Sequence, residues 1–343
     1  MKLRHKTAHS VKSFLKALPV RHREGSACPI FLFATPRGGL TWLAETIFAC
    51  PGMRCVSEPL NLRSPWVKED LGVEDWNELW ERDLERKLLP YFEELLSGRN
   101  RRRDLTPFRS PAKYGWRFRT DRTVFKVNNG GTQCLDAVRE RFDARIILFF
   151  RHPIPTTLSR EYFPGLEALP RSRFFAGLPD PLQGLTKEIL AGGDHLEKGA
   201  LAWCFHNAPL VEKIGDPEFL CLTYEEMVID SRSVLRRVAE FCGLEDEERV
   251  IRNAHRPSST TRKSEAAKRK ILRGKNEEER IRASLGHWRS KVPPEEALRI
   301  QPILNAFGIA LYGPEQTVPT RPLALQPNQL HPFVSQAPTQ ANL

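Results

Sequence analysis

Phe31-Leu32-Phe33-Ala34-Thr35-Pro36-Arg37-Gly38-Gly39-Leu40-Thr41-Trp42 decides how the chain folds. A short apolar run, Pro29–Thr35, predicts a strand. It breaks at a Pro-Arg-Gly-Gly turn, and Leu40–Ala49 follows with Leu40, Leu43, Ile47 and Phe48 at helical spacing. A glycine-rich turn at a helix start is a cradle for an anion, because backbone N–H groups point into it at the positive end of the helix dipole. Arg37 and Thr41 add a cation and a hydroxyl to it. A second unit repeats the form. The apolar run Arg145–Phe150 breaks at Arg151-His152-Pro153, and Ser159 lies eight residues beyond Arg151. The two units read as grips for two separate phosphates.

Working outward, Met53–Ser57 reads as a strand closed by Glu58-Pro59, and Thr123–Val127 as another. Helices are expected over 132–142, 195–213 and 231–242, the last capped by Gly243, with a further strand at 218–223. Residues 73–97 predict a charged amphipathic helical stretch broken or kinked at Pro90. Residues 163–193, rich in Pro, Gly and Leu, predict loops and short helices. This alternation of strands and helices predicts an α/β fold with three layers, a central mainly parallel sheet covered by helices on both faces. Residues 1–25 form a basic N-terminal segment, 26–313 the domain, and 314–343, rich in Pro and Gln with almost no charge, a disordered tail.

Composition narrows the partners. The 343 residues are 40% hydrophobic, enough for a sizeable core, and carry a formal charge of +11. Such a charge favours an anionic partner, whether nucleotide, nucleic acid, polysaccharide or membrane surface. Seven scattered cysteines include no C-x-x-C pair, which argues against a disulfide framework or zinc site and for a reducing, cytoplasmic setting. No run of about 18 apolar residues occurs, so no transmembrane segment is expected. The basic N-terminal segment, with Val11, Phe14, Leu15 and Leu18 at helical spacing, is either a membrane-surface helix or a solvated one.

The common phosphate loops fail. An ATP or GTP loop needs G-x-x-x-x-G-K followed by Ser or Thr, and no glycine stands at the required position before Gly39, nor a lysine after it. The dinucleotide pattern G-x-G-x-x-G is absent too. The chain instead resembles the sulfotransferases that use 3′-phosphoadenosine 5′-phosphosulfate (PAPS). Pro36-Arg37-Gly38-Gly39-Leu40-Thr41-Trp42-Leu43 is similar in register to that family's P-K-S-G-T-T-W-L loop. Phe150-Arg151-His152-Pro153 with Ser159 resembles its F-R-D-P element and following serine, and Tyr224-Glu225-Glu226-Met227 its Y-E-D-L segment. His287-Trp288-Arg289 and Leu311-Tyr312-Gly313 resemble its C-terminal region, so the likeness spans about residues 28–313.

The resemblance implies roles. Gly38, Gly39, Leu40, Thr41 and Trp42 would hold the 5′-phosphate and adenine, and Arg37, where the family usually has lysine, would neutralise charge on the leaving phosphate. Arg151 and Ser159 would grip the 3′-phosphate, Tyr224 would reach the adenine, and Arg262-Lys263-Ser264, in place of R-K-G, would close over the 3′-phosphate. The family's K-x-H, which supplies the base in cytosolic members, is here Lys126-Val127-Asn128. Asparagine takes no proton, so Glu58 is the candidate base, as in carbohydrate-modifying and several bacterial relatives, with Lys126 assisting. No metal is required. These implications point to sulfuryl transfer onto a hydroxyl of a small molecule, sugar or glycoconjugate, the use of Glu58 favouring a carbohydrate, with no nucleic-acid partner. Arg101-Arg102-Arg103 is either a guide for an anionic polysaccharide or a solvated loop. A non-catalytic nucleotide or polyanion binder and an ATP-dependent phosphotransferase stand as alternatives.

Overall fold

A computed structural model describes residues 21–22, 27–100, 119–254 and 276–333. Five strands form one wholly parallel sheet: β1 (Ile30–Phe33), β2 (Met53–Ser57), β3 (Arg122–Val127), β4 (Arg145–Phe150) and β5 (Phe219–Thr223), in the spatial order β2-β3-β1-β4-β5. β1 is therefore central, with Phe33 paired to Val127 of β3 on one side and Leu148 of β4 on the other. Alternation along β1 splits the core into two layers. Phe31 and Phe33 face one way, where Phe31 stacks on Phe125 with ring centroids 4.3 Å apart; Ile30 and Leu32 face the other, against Leu43 and Ile47. Strands buried on both faces are the mark of a parallel sheet covered by helices, and the α/β expectation holds.

The helices that matter for the site are α1 (Leu40–Phe48), α2 (Glu85–Leu96), α3 (Leu135–Phe142), α4 (Pro153–Thr157), α5 (His195–Val211), α6 (Tyr224–Ile229), α7 (Ser231–Cys242) and α8 (Glu247–Ala254). Because every strand is parallel, the turns that follow β1, β2, β3, β4 and β5 all open on the same carboxyl edge. α1 buries Leu40, Leu43, Ile47 and Phe48 as its spacing predicts. In the 73–97 stretch, two short 3-10 turns at Trp76–Trp80 and Arg82–Leu84 precede α2, which runs through Pro90. The break thus falls earlier than the proline. Residues 163–193 include short helices as expected, and also a 13-residue helix over Asp180–Gly192.

The expectation of a disordered tail from residue 314 is corrected for residues 314–333, which pack on the domain; residues 334–343 lie outside the described residues. Glu226 supplies the physical reason. Its Oε2 caps α6 by accepting from the Thr223 N–H and hydroxyl, while Oε1 accepts from three successive backbone N–H groups, those of Leu323, Ala324 and Leu325, at 2.7, 2.7 and 3.0 Å. Arg237 of α7 donates to the carbonyls of Leu323 and Ala324, and Val318, Ala324, Leu325 and Leu330 are buried. Low charge and many prolines left these backbone groups available to a buried carboxylate. Replacing Glu226 by Gln is expected to cost about 2 kcal/mol, since a bond to a charged acceptor is worth roughly 1.5–3 kcal/mol. Denaturant melts check the loss, and chymotrypsin should then cut after Leu323 or Leu325; protection equal to wild type would refute the clamp.

Candidate functional site

The two sequence-predicted grips stand side by side because β1 and β4 are neighbours, and they are bonded to each other. Arg151 Nη1 donates to the Arg37 carbonyl at 3.0 Å, and Arg37 Nε donates to the Ser159 carbonyl at 3.1 Å. Neither guanidinium forms an ion pair with a carboxylate among the described residues, though the charge of Arg151 acts on buried Glu225. In the first turn, the Gly38 N–H returns to the Thr35 carbonyl and the Trp42 N–H to the Gly39 carbonyl, both at 2.9 Å. The N–H groups of Gly39, Leu40 and Thr41 have no partner among the described residues, and no side chain caps α1. This leaves three donors at the positive end of a helix.

Gly39 is dictated twice over. Its φ is +89°, and a Cβ there would lie 2.6 Å from the Tyr224 ring. Tyr224 fills the space between the grips: the Arg151 guanidinium sits 4.4 Å above its ring, and Trp42 meets it edge-on at 6.1 Å. Trp42 in turn donates its indole N–H to the Ala254 carbonyl at the end of α8. Arg262 and Lys263 lie outside the described residues, as do Arg101-Arg102-Arg103. The Ser159 hydroxyl donates to the Thr156 carbonyl at 2.8 Å, so it must rotate to donate to an incoming anion.

Glu58 and Lys126 meet on the same edge. The Lys126 ammonium, nearly buried, lies 2.8 Å from Glu58 Oε1, and Asn61 Nδ2 donates to Oε2 at 3.1 Å. The Glu58 N–H also donates to the Lys126 carbonyl at 2.8 Å, so main chain and side chain hold the same neighbour. Glu58 adopts φ +54° and Arg37 φ +72°; with Asn129 at +76° they put non-glycine residues in the left-handed region after β2, β1 and β3. Such backbone costs on the order of 1–2 kcal/mol per residue. Asn128, where the resemblance places a base, is buried, and its amide, oriented by its surroundings, donates to the carbonyls of Ala34 and Val127 at 3.2 Å.

Sequence reasoning missed the groups that hold these turns from behind. All lie on α5. Trp203 donates its indole N–H to the Arg151 carbonyl at 2.9 Å, His206 Nε2 donates to the Ala34 carbonyl at 3.2 Å, and Asn207 Nδ2 donates to Thr35 Oγ1 at 2.6 Å. A polar His206-Asn207 pair within an otherwise apolar helical run was the available signal. Burial, and next the charge of Arg160, pushes His206 down to about 4.

His152 stands where the resemblance expects aspartate, and it caps the helix that follows in neutral form. Nδ1 accepts from the Ile154 N–H at 3.2 Å, capping α4, while Nε2 donates to the Gly313 carbonyl at 3.1 Å. The ring stacks on Trp288 at 5.2 Å. Burial first pushes its pKa down to about 3, and the nearby arginines add to that. The His152 N–H donates to buried Glu225, which also accepts from the Tyr312 hydroxyl at 2.7 Å. Burial raises the Glu225 carboxyl above its ordinary range.

Two arginine-bearing turns at the carboxyl edge of a parallel sheet, tied together and backed by one helix, place the chain in the class of α/β proteins with a helix-covered parallel sheet. The sequence comparisons carry this one step further. A model described as "Sulfotransferase family" matches residues 29–248, and one described as "Sulfotransferase domain" matches residues 198–307. The chain belongs to the sulfotransferase family. Mouse sulfotransferase SULT7A1 complexed with PAP is 20% identical, with 73% of this chain and 69% of that one covered and a TM-score of 0.37. The sulfotransferase domain of the Synechococcus PCC 7002 olefin synthase is 18% identical, covering 86% and 98% at a TM-score of 0.39. Sulfotransferase STF9 from Mycobacterium avium is 19% identical, covering 74% and 72% at 0.33. No curated protein matches the chain. With structural scores this low, the fold rests on the sheet and the family on the sequence models.

The His152 cap predicts a pH dependence. A folded-state pKa near 3 against an unfolded value near 6.5 means that the unfolded chain takes the proton first, so this contribution is intact above pH 6.5 and lost as pH falls toward 3. Glu225, raised, acts in the opposite direction in both proteins compared. His152→Asn keeps a neutral cap without the titration. Its stability should therefore fall less than wild type between pH 7 and 5, by on the order of 2 kcal/mol. Urea melts at the two pH values measure this, and equal slopes would refute it.

Proposed function

We propose that the protein transfers a sulfuryl group from PAPS to a hydroxyl of an acceptor, a carbohydrate or glycoconjugate in the first instance. The observation that carries this reading is the pair of turns, bonded Arg37 to Ser159 and Arg151 to Arg37, whose cations form no ion pair with a carboxylate among the described residues. The residues fit such a donor on two counts: three helix-start N–H groups lack partners among the described residues, and Gly39 leaves room for the Tyr224 ring that packs under Arg151. When bound, the donor supplies an electrophilic sulfur on a bridging oxygen, and its phosphate departs with the electron pair.

Each residue then has a task. Gly39, Leu40 and Thr41 hold the 5′-phosphate through backbone N–H groups, and Thr41 adds its hydroxyl. Arg37 sets a permanent positive charge beside the leaving oxygen; arginine stabilises that charge but gives up no proton, unlike the lysine usual in the family. Arg151 holds the 3′-phosphate with Ser159, and Tyr224, whose ring lies under the Arg151 guanidinium, positions it. Trp42 borders the adenine. Glu58 takes the proton that the attacking hydroxyl sheds, and Lys126 and Asn61 fix its carboxylate in place. The engagement of Asn128 with two backbone carbonyls supports Glu58 as base, since no titratable group stands at the usual position. A cytoplasmic location belongs to the same proposal, on the scattered cysteine pattern.

Glu58→Gln is expected to lower turnover by about 10²-fold or more, the usual reach of a general base, while the affinity for PAP stays within about twofold. Arg151→Met should weaken PAP binding by roughly 10–100-fold, the worth of a charge-assisted contact. Calorimetric titration with PAP and a radiolabelled-donor assay read both. Unchanged turnover in Glu58→Gln would remove it as the base, and tighter, magnesium-dependent binding of ATP would overturn the sulfotransferase reading itself.

A further inference from the structure

Two arginines beside the site are left over by this scheme. Arg160 follows Ser159 directly, and Arg63 lies in the turn after β2 that carries Glu58 and Asn61. Each guanidinium is backed by an aromatic ring, Arg160 over Phe163 and Arg63 over Tyr162, both at 4.6 Å. The two are close enough for the charge of Arg63 to act on Arg160, and Arg160 in turn acts on His206, which holds the Ala34 carbonyl at the base of the first grip. Arg160 is therefore within electrostatic reach of the Glu58 turn, through Arg63, and of the first grip, through His206.

Neither guanidinium has a hydrogen bond or ion pair with a carboxylate among the described residues. Adjacent Glu161 pairs with neither. Elsewhere on the surface arginines do find acids: Arg171 closes on Asp75, Arg173 on Asp83 and Arg141 on Glu93. Arg160 is partly buried, and burial together with Arg63 pushes it down to about 10. Partly buried Arg160 beside exposed Arg63, each with an aromatic face behind it and neither paired to a carboxylate among the described residues, makes a place that an anion would complete. Guanidinium forks suit a carboxylate or a phosphate or sulfate monoester equally.

We propose that the acceptor carries, besides its reacting hydroxyl, a fixed anionic group seated between Arg63 and Arg160. This rests on the sulfotransferase reading and narrows its substrate class to acidic hydroxyl compounds. The anion anchors the acceptor, and the aromatic rings flank it. The hydroxyl is thereby presented toward Glu58, whose turn also carries Arg63. Transfer then forms the acceptor O–S bond, breaks the bridging S–O bond of the donor, and leaves the hydroxyl proton on Glu58.

The test uses the full chain loaded with PAP and matched probes: methyl glucuronoside, glucose 6-phosphate and glucose 6-sulfate against neutral methyl glucoside. Calorimetric titration should show at least one acidic probe binding about tenfold or more tighter than the neutral one, as a charge-assisted bond implies. The probe that wins tells carboxylate from monoester. Arg160→Met should abolish the preference while its affinity for PAP, which also reports folding, stays at the wild-type value. Arg63→Met, at an exposed position, should reduce it as well. Acidic and neutral probes binding alike, a preference that survives Arg160→Met, or an equal loss for all probes in that variant would overturn the proposal with PAP binding intact. Failure of PAP to bind the wild-type protein would instead overturn the underlying sulfotransferase reading, and this inference with it.

Discussion

The site depends on hydrogen bonds that α5 sends to the turns on either side of it. Trp203 holds the carbonyl of Arg151, His206 that of Ala34, and Asn207 the hydroxyl of Thr35. Three donors from consecutive turns of one helix thus fix the ends of β1 and β4 relative to each other. Gly199 on the same helix lets α4 approach closely, since a Cβ there would lie 2.1 Å from the Thr157 side chain. Buried polar groups of this kind are worth little net energy when satisfied and are costly when broken, so they act on geometry more than on stability. Only with the turns so fixed can their backbone N–H groups and arginines be kept pointing outward.

A second layer of restraint comes from two adjacent acids at the start of α6. Glu225 accepts from the backbone of the second grip and from Tyr312, joining it to the C-terminal region, and Glu226 ties residues 323–325 to the cap of α6. The second grip is therefore held from both sides, by α5 and by Glu225. Left-handed backbone at Arg37, Glu58 and Asn129 lies on the same carboxyl edge, in the turns after β1, β2 and β3. Strain of this sort persists where the surroundings over-determine the chain, and here it gathers on the edge where chemistry is proposed.

The elements themselves were legible because their signals are local. β2, β4 and α7 fall on the residues read from the sequence, and β1, β3 and β5 within a residue or two, since apolar runs and cap residues act over one or two turns. Pro90 misled because a proline in a helix costs about 3 kcal/mol and reads as a break, yet tertiary packing of Leu88, Tyr91, Phe92 and Leu95 carries α2 through it. The tail misled for the opposite reason, its composition saying nothing about a carboxylate nearly 100 residues away. Of the site, Arg37, Gly39, Arg151 and Ser159 were legible as turn residues after strands. The three donors of α5 and the Arg63–Arg160 pair were not, because no spacing in the chain announces which distant side chains will face one another.

By itself the sequence determined the strand, turn and helix units, the two glycine- and arginine-bearing turns, and the α/β class, all consequences of neighbours along the chain. Only the tertiary structure decided that Glu58 meets Lys126, that the two grips bond to each other, that His152 serves as a neutral cap and that residues 314–333 are part of the domain. Each of these is a contact between segments far apart in sequence. The order β2-β3-β1-β4-β5 selects them: it sets β1 between β3 and β4, brings the turns after all five strands to one edge, and so determines which charges share a low-dielectric boundary.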